Sequence, residues 1–372
     1  MNYKFIRVLC FVSGFCSLIF ISSSCVSPYF ETRQSPQREG ENLPGKSDTK
    51  KEFVRATFDE STSTGEFAAK VYQKLGEEDF AWLEETASKA RKNKERLKGG
   101  YWAIRTFYSG IQPGYNSEAE YEKLIEKLNR WKTAYPESPT PYIALFEAWA
   151  AYAVDARGTG YVDTVSRENW QLYKERMKNA QSSLLEAKSL REKCPYWYVG
   201  MLEIAKNESW DFEDFEVLFQ EAIAFEPDFY YFYQAKGMYL LPRYSGEPGQ
   251  WEKFIEEVGR QKSARLYYEV LSHFILKVGD MPYDTGKYSR ERAEQGFFEL
   301  RKEFGADKTR LNEYAKFTMM AGGIETAAEI FDEIGNNWDS KVWRNKQEFE
   351  QSRQGANNVR NAKENRNYRT EK

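Results

Sequence analysis

Histidine occurs once in this 372-residue chain, at His273, and cysteine four times, three of them (Cys10, Cys16, Cys25) within the first 25 residues. The rest of the chain therefore holds a single thiol, Cys194, and no disulfide can form inside it in any redox compartment. One Cys and one His also exclude a four-ligand Cys/His zinc site. A histidine-dependent triad would need a nucleophile and an orienting acid around that one imidazole, and no motif marks either. Charge of one sign is missing as well. With 54 basic and 57 acidic residues the net charge is −3, which leaves no electrostatic footprint for nucleic acid. No stretch of the body alternates polar and apolar residues, so no sheet is predicted. Gly158-Thr159-Gly160 follows no strand and lacks the Lys and Ser/Thr of a phosphate-binding loop. It reads as turn chemistry, and no cofactor and no metal are expected.

What is present begins with an address. Lys4 and Arg7 precede the apolar run Val8 to Ile21, whose 14 residues fall short of the about 20 that a membrane-spanning helix requires. Ser22-Ser23-Ser24-Cys25 follows. This order resembles a bacterial lipoprotein signal, in which the cysteine is lipidated and becomes the new N-terminus. The aliphatic residue expected three places before the cysteine is replaced by Ser22, with Ile21 one place too early. Ser22 and Ser24 also suit ordinary signal-peptidase cleavage, and an uncleaved anchor is the third route. The expectation is residues 1–25 as a lipoprotein-like signal with Cys25 as the lipidation site. Residues 26–52, rich in Ser, Pro, Gly, Gln, Glu and Lys, read as a flexible tether. The domain would then be exported and held at the envelope, in the periplasm, by a lipid anchor.

Residues 53–350 read as one all-α domain. Apolar residues recur at three- and four-residue steps in Phe80, Leu83, Ala87, Ala90, in Tyr121, Leu124, Leu128, Trp131, Tyr135, and in Trp170, Tyr173, Met177, Ala180, Leu184, Ala187. Each set is one buried face of an amphipathic helix. Residues 139–157 are apolar on most sides and predict a central helix. Further helices are predicted near 251–261, 263–279, 287–304, 307–322 and 323–335, with a loop at Asp280 to Gly286 and a capping helix from Trp338 to about Glu350. Spaced marks of a tetratricopeptide (TPR)-like repeat run through these helices. Leu124, Leu128, Trp131 and Pro136 share offsets with Phe215, Phe219, Ala222 and Pro227. Ser183, Ala187, Leu190 and Pro195 follow the same scheme, and Ala327 and Phe331 reproduce one step of it. The three prolines stand 59 and 32 residues apart, so the array is irregular. The predicted fold is an all-α, TPR-like helical repeat, an α-solenoid. Residues 351–372 carry six basic and two acidic residues and many Asn, and read as a disordered basic tail.

The densest stretch is Glu226 to Trp251, EPDFYYFYQAKGMYLLPRYSGEPGQW. Pro227 suits the first turn of a helix, and Phe229 to Tyr233 are consecutive aromatics spread round its surface, as in a helix buried between layers. Gly237 inside that helix implies close approach of a neighbour, since glycine costs about 1 kcal/mol there relative to Ala. Pro242 ends the helix, and Ser245 to Gly249 form a turn. LPRYSGEPGQWEKF resembles the LPRW-x-GxxGDWExF signature of an uncharacterised bacterial helical-repeat family, domain of unknown function 4034. ARGTGYVDTVSRENWQLYKERM, CPYWYVGML and LNEYAKFTMMAGGIETAAEIFDEIG are similar to other segments of that family, in family order from about Phe67 to about Trp343. Tyr244 and Ser245 replace a bulkier pair, and Gln250 stands where Asp is usual. The resemblance implies a TPR-like all-α fold and no activity.

Two functions are weighed beside a purely structural spacer, which predicts no groove with coherent chemistry. The first is a module that binds a protein or peptide partner at the envelope, with the loop residues Arg243, Tyr244, Glu247 and Trp251 as the candidate binding site. Helical repeats offer concave grooves for such partners. The alternative is an envelope enzyme, a glycan-cleaving hydrolase or lyase, which would need a deep cleft with two unpaired carboxylates. Glu226, Asp228 and Glu247 bracket the signature stretch. Asp228 also suits a helix N-terminus, and Arg243 suits an ion pair with Glu247. Cys194 precedes Pro195 at a helix start, where the dipole could lower its pKa; a small buried residue at a helix junction is the plainer expectation. No catalytic residue is assigned.

Overall fold

The computed structural model describes residues 61–111, 117–158, 164–278 and 288–370. The expected signal, the tether, Cys25, Thr159, Gly160 and the loop Asp280 to Gly286 lie outside them. Over the described residues the chain is all-α, with one isolated bridge between Arg96 and Trp102 and no strand. The helices are α1 (Ser63–Gly76), α2 (Phe80–Lys92), α3 (Ala103–Ile111), α4 (Glu118–Ala134), α5 (Pro139–Arg157), α6 (Arg167–Ala187), α7 (Pro195–Asn207), α8 (Phe212–Phe225), α9 (Tyr230–Tyr239), α10 (Gln250–Gln261), α11 (Ala264–His273), α12 (Arg290–Phe304), α13 (Lys308–Met320), α14 (Ile324–Ile334) and α15 (Lys346–Thr370). A π-turn, Phe274–Val278, extends α11. None is long and apolar enough to cross a membrane.

Their packing follows a two-layer rule. Helices α3, α5, α7, α9, α11 and α13 touch one another in succession and form a continuous wall. The even-numbered helices α6, α8 and α10 each pack between two consecutive wall helices, while α4 packs on α5, α12 on α11 and α14 on α13. This is a helical repeat, and the burial pattern explains it. A helix within the wall meets neighbours on most sides, and α5 is buried at every residue from Pro139 to Ala148. The outer α4 buries only its stripe Tyr121, Leu124, Leu128 and Trp131 with the adjoining Ile125. Side chains of Thr62, Asp79, Ser138, Ser166, Ser263, Ser289 and Asp307 accept hydrogen bonds from the first turns of their helices, satisfying N–H groups that have no partner inside the helix.

The matched offsets of the sequence become matched contacts. Leu124, Leu128 and Trp131 of α4 and Phe215, Phe219 and Ala222 of α8 are all buried. After each outer helix a proline carbonyl accepts a hydrogen bond from a tyrosine hydroxyl six residues on: Tyr142 to Pro136 and Tyr233 to Pro227, both at 2.9 Å. The third stripe is only half realised. Trp170, Tyr173 and Met177 are partly exposed, whereas Ala180, Leu184 and Ala187 are buried.

Three expectations need correction. The helix after Pro227 starts at Tyr230, because Glu226 to Phe229 form a turn closed by the Phe229 N–H to Glu226 O bond at 3.2 Å. The capping helix starts at Lys346, and Trp343 is buried in the preceding turn with its indole N–H on Asn312 Oδ1 at 2.8 Å. Residues 351–370 are not a disordered tail but continue α15. That helix is polar almost all round, which made it look solvated. It is held by its few buried residues, Phe349 and Ala356, against α14, and by ion pairs Arg360–Asp332 and Lys363–Glu325, both at 2.6 Å.

The wall also closes on itself. Residues 95–103 form a minimal hairpin, with Leu97 N–H on Tyr101 O at 2.8 Å and Ala103 N–H on Glu95 O at 2.9 Å. Gly99 and Gly100, both at positive φ, make its turn. Its tip reaches the far end of the wall: Arg310 Nε of α13 donates to Gly99 O at 2.9 Å. Ser63 at the start of α1 donates to Asp307 at 3.1 Å. On its other side the hairpin meets the α8–α9 turn, where Trp102 lies 4.8 Å from Phe229 and Lys94 pairs with buried Glu226 at 2.7 Å.

The expected close approach at Gly237 is made by an aromatic ring. A Cβ there would stand 2.4 Å from Phe274 Cζ, and Phe274 is in turn stacked on Trp251 at 5.3 Å. Gly237→Leu should therefore destabilise the protein by overpacking, by about 1–3 kcal/mol. Chemical denaturation would read this, and an unchanged midpoint would count against the contact.

Candidate functional site

A cavity of about 140 Å³ opens where the hairpin, α9, α11 and α13 converge. Its lining follows from helical spacing. From α11 and the π-turn come Glu269, Ser272, His273, Leu276 and Lys277, residues that share one face at three- and four-residue steps. From α9 come Tyr230, Tyr231 and Gln234, from α13 Arg310 and Glu313, and from the hairpin Tyr101. Helix α11 is buried on nearly all sides from Ala264 to Ser272. A polar residue in such a helix is forced to face either a partner or a cavity. The π-turn is itself a feature often found beside functional sites.

The electrostatics centre on two buried charges. Glu269 is 3% exposed. Its Oε1 is 3.4 Å from Arg96 Nη1, and its Oε2 has no hydrogen-bond partner. Burial pushes its carboxyl up to about 7, against the opposing pull of Arg96, Arg310 and Arg265. Arg310 is 5% exposed. Its Nε holds Gly99 O, its Nη1 lies 3.3 Å from Glu313 Oε2, and its guanidinium carbon sits 4.2 Å from the Tyr101 ring centre. The surrounding anionic and phenolic groups keep it firmly protonated despite burial. Tyr101 donates to Glu313 at 3.3 Å, and Tyr230 donates to Tyr231 at 2.9 Å. Burial raises the pKa of all three tyrosines, so they remain neutral hydroxyls. His273 is pushed the other way, to about 3, by burial and by the ammonium groups of Lys277 and Lys206. Its ring is a neutral donor and acceptor at any working pH.

No family model, curated protein or solved structure matches this chain. The chemistry of the site therefore rests on its own geometry. Among the described residues no three His, Cys, Asp or Glu side chains converge as a metal centre would need.

The loop singled out in the sequence lies apart from this cavity, and none of its four residues lines it. Trp251 is a core residue, 5% exposed and stacked on Phe274. Tyr244 is half-buried beneath the Lys206 ammonium, 4.9 Å from its ring centre, and Lys206 is itself paired with Glu203 at 2.6 Å. The Arg243 guanidinium lies 5.9 Å from the same ring. Glu247 is exposed, and its backbone N–H donates to Gln250 Oε1 at 2.9 Å. Asp228 is exposed and 4.0 Å from Arg265. Cys194 is fully buried at the N-cap of α7, with Tyr108 Oη 3.8 Å from its sulfur. Burial pushes its thiol up to about 11, so desolvation outweighs the helix dipole there.

His273 was visible in the sequence only as a rare residue, and Glu269 and Arg310 were not visible at all. The signal available was a lone acid and a lone His, four apart, in the apolar run Leu266 to Leu276. Nothing in the sequence indicated which face of α11 would meet α13.

The shifted groups set opposite pH dependences. For Glu269 the folded value lies above the ordinary 4.5, so its stabilising contribution is complete below that pH and is lost as pH rises through 7. The amplitude is about 3 kcal/mol at about 1.4 kcal/mol per unit. For His273 the folded value lies below the ordinary 6.5, so its contribution is complete at neutral pH and lost as pH falls toward 3. Glu269→Gln should remove only the first effect. Its stability relative to wild type should rise by roughly 3 kcal/mol between about pH 4.5 and pH 8, measured by denaturant titration. A difference independent of pH would mean that Glu269 ionises like an exposed carboxylate.

Proposed function

We propose that this chain is a binding module, an exported and lipid-anchored helical-repeat protein of the bacterial envelope that recognises a partner of peptide character through the cavity between α9, α11 and α13. The observation that carries the reading is the unpartnered Glu269 Oε2 lining that cavity. A buried carboxylate oxygen left without a donor is costly unless a ligand supplies one. The TPR-like character is supported by the wall of successive helices and by the Tyr–Pro contacts repeated after α4 and α8. The Lys4-to-Cys25 segment supports export with Cys25 lipidated. The resemblance to domain of unknown function 4034 supports a bacterial source.

The enzyme reading has one observation in its favour, a carboxyl held near neutrality, as a general acid or base would be. A glycan-cleaving pair needs a second free carboxylate. Glu313 is instead engaged by Arg310 and Tyr101, so the binding reading is preferred.

Thermal-shift measurements with a casein peptide digest, a cell-wall glycan digest and a pool of free amino acids would test it. At least one pool should raise the Tm of the wild type and of the double variant Arg243→Ala/Glu247→Ala, which leaves the cavity intact, but not that of Glu269→Gln. Silence from all three pools would reject the cavity as a binding site. New reducing ends in the glycan digest would replace the module with an enzyme.

A further inference from the structure

Of the four charged side chains that line the cavity, Glu269, Lys277, Arg310 and Glu313, the two most buried, Glu269 and Arg310, are of opposite sign and do not pair with each other. Glu269 pairs with Arg96, and Arg310 pairs with Glu313. Arg310 acts on Glu269 only through space. Oε2 of Glu269 has no partner, and the Arg310 guanidinium, held by Gly99, Glu313 and the Tyr268 hydroxyl, lines the same cavity. Both side chains are more than nine-tenths buried, so water screens them little. A guanidinium and a carboxylate fixed on different helices, α13 and α11, and facing one small space, are complementary to a molecule that carries both charges itself.

We propose that the cavity binds a free amino acid, or a zwitterion of the same size, with its ammonium group on the Glu269 carboxylate and its carboxylate on the Arg310 guanidinium. This rests on the reading of the cavity as a binding site and names the ligand. A lone cation would answer only the Glu269 charge, and a lone anion only that of Arg310. A neutral sugar would bring no charge to either group. The remaining walls fit the assignment. Tyr101, Tyr230 and Tyr231 line it with aromatic rings, and neutral His273, Ser272 and Gln234 offer uncharged hydrogen-bonding groups to a short side chain. The volume of about 140 Å³ equals roughly five waters. That admits a small amino acid.

Isothermal titration calorimetry of the purified protein with individual L- and D-amino acids, each beside its N-acetyl and C-amide derivative, tests the proposal without relying on a variant. At least one free amino acid should bind, and blocking either charge should weaken it roughly tenfold or more, the cost of one lost charge-assisted hydrogen bond. Glu269→Gln should weaken the free amino acid to a similar degree and leave the N-acetyl form, which carries no ammonium group, little changed. Arg310→Lys, which keeps the charge, should bind more tightly than Arg310→Met. Blocked and free forms binding equally would overturn the proposal, as would binding of peptides or sugars with no response to any free amino acid. In that second case the cavity would remain a binding site for another ligand. Silence to every class would overturn both readings.

Discussion

The structure depends on the side chain of Arg96. Its guanidinium lies 3.6 Å from the centre of the Trp102 ring, donates to Gly100 O at 2.6 Å, and approaches Glu269 at 3.4 Å. The first two contacts hold the 95–103 hairpin in one shape, and the third fastens it to α11. From this anchored position the hairpin tip meets α13 and its flank meets the α8–α9 turn. Without it the wall from α3 to α13 would be an open row of helices, each touching only its neighbours, as is usual for repeat architectures. With it, segments about two hundred residues apart in sequence become direct contacts, as in the Gly99–Arg310 bond, where the separation is 211.

Closure has an electrostatic consequence. Bringing the hairpin against α11 and α13 concentrates Arg96, Glu269, Arg310 and Glu313 in a space lined with tyrosines. Two ion pairs form, Arg96–Glu269 and Arg310–Glu313, both at 3.3–3.4 Å and both largely buried. Such pairs are poor stabilisers, because the loss of hydration offsets most of their attraction. Apolar residues of similar volume would stabilise the same junction at least as well. That these positions hold charges is understandable if a ligand completes them. The surrounding aromatic packing, with Phe297 stacked on Tyr314 at 3.5 Å and Tyr268 edge-on to both, supplies the rigid frame against which the charges are held.

The sequence and the structure agree where the physics is local. The stripe Leu83, Ala87, Ala90 is the buried face of α2, the Pro136 and Pro227 marks are equivalent turns, and Gly237 is a point of close approach. Disagreement appears where one local signal has two causes. Residues 351–370 are polar enough for a solvated tail, yet Phe349 and Ala356 suffice to dock them as a helix. Trp251 stood out as an aromatic beside a loop, and its ring is spent on Phe274. The prominent loop Arg243 to Gly249 lies outside the cavity, which takes Tyr230, Tyr231 and Gln234 from the aromatic helix before it.

The sequence by itself determined that the chain is helical, where several of its helices begin and end, and that neither a disulfide nor a Cys/His zinc site can exist in its body. These follow from hydrophobic period, capping residues and counts of residue types, all of which are properties of short segments. Only the tertiary structure decided that the row of helices closes and that Glu269 meets Arg310 in one cavity. These two residues stand 41 positions apart (310 − 269) on helices whose amphipathic patterns say nothing of their mutual rotation. Their proximity is set by how the 95–103 hairpin, from far upstream, seats between α9, α11 and α13, and no spacing within a single segment encodes it.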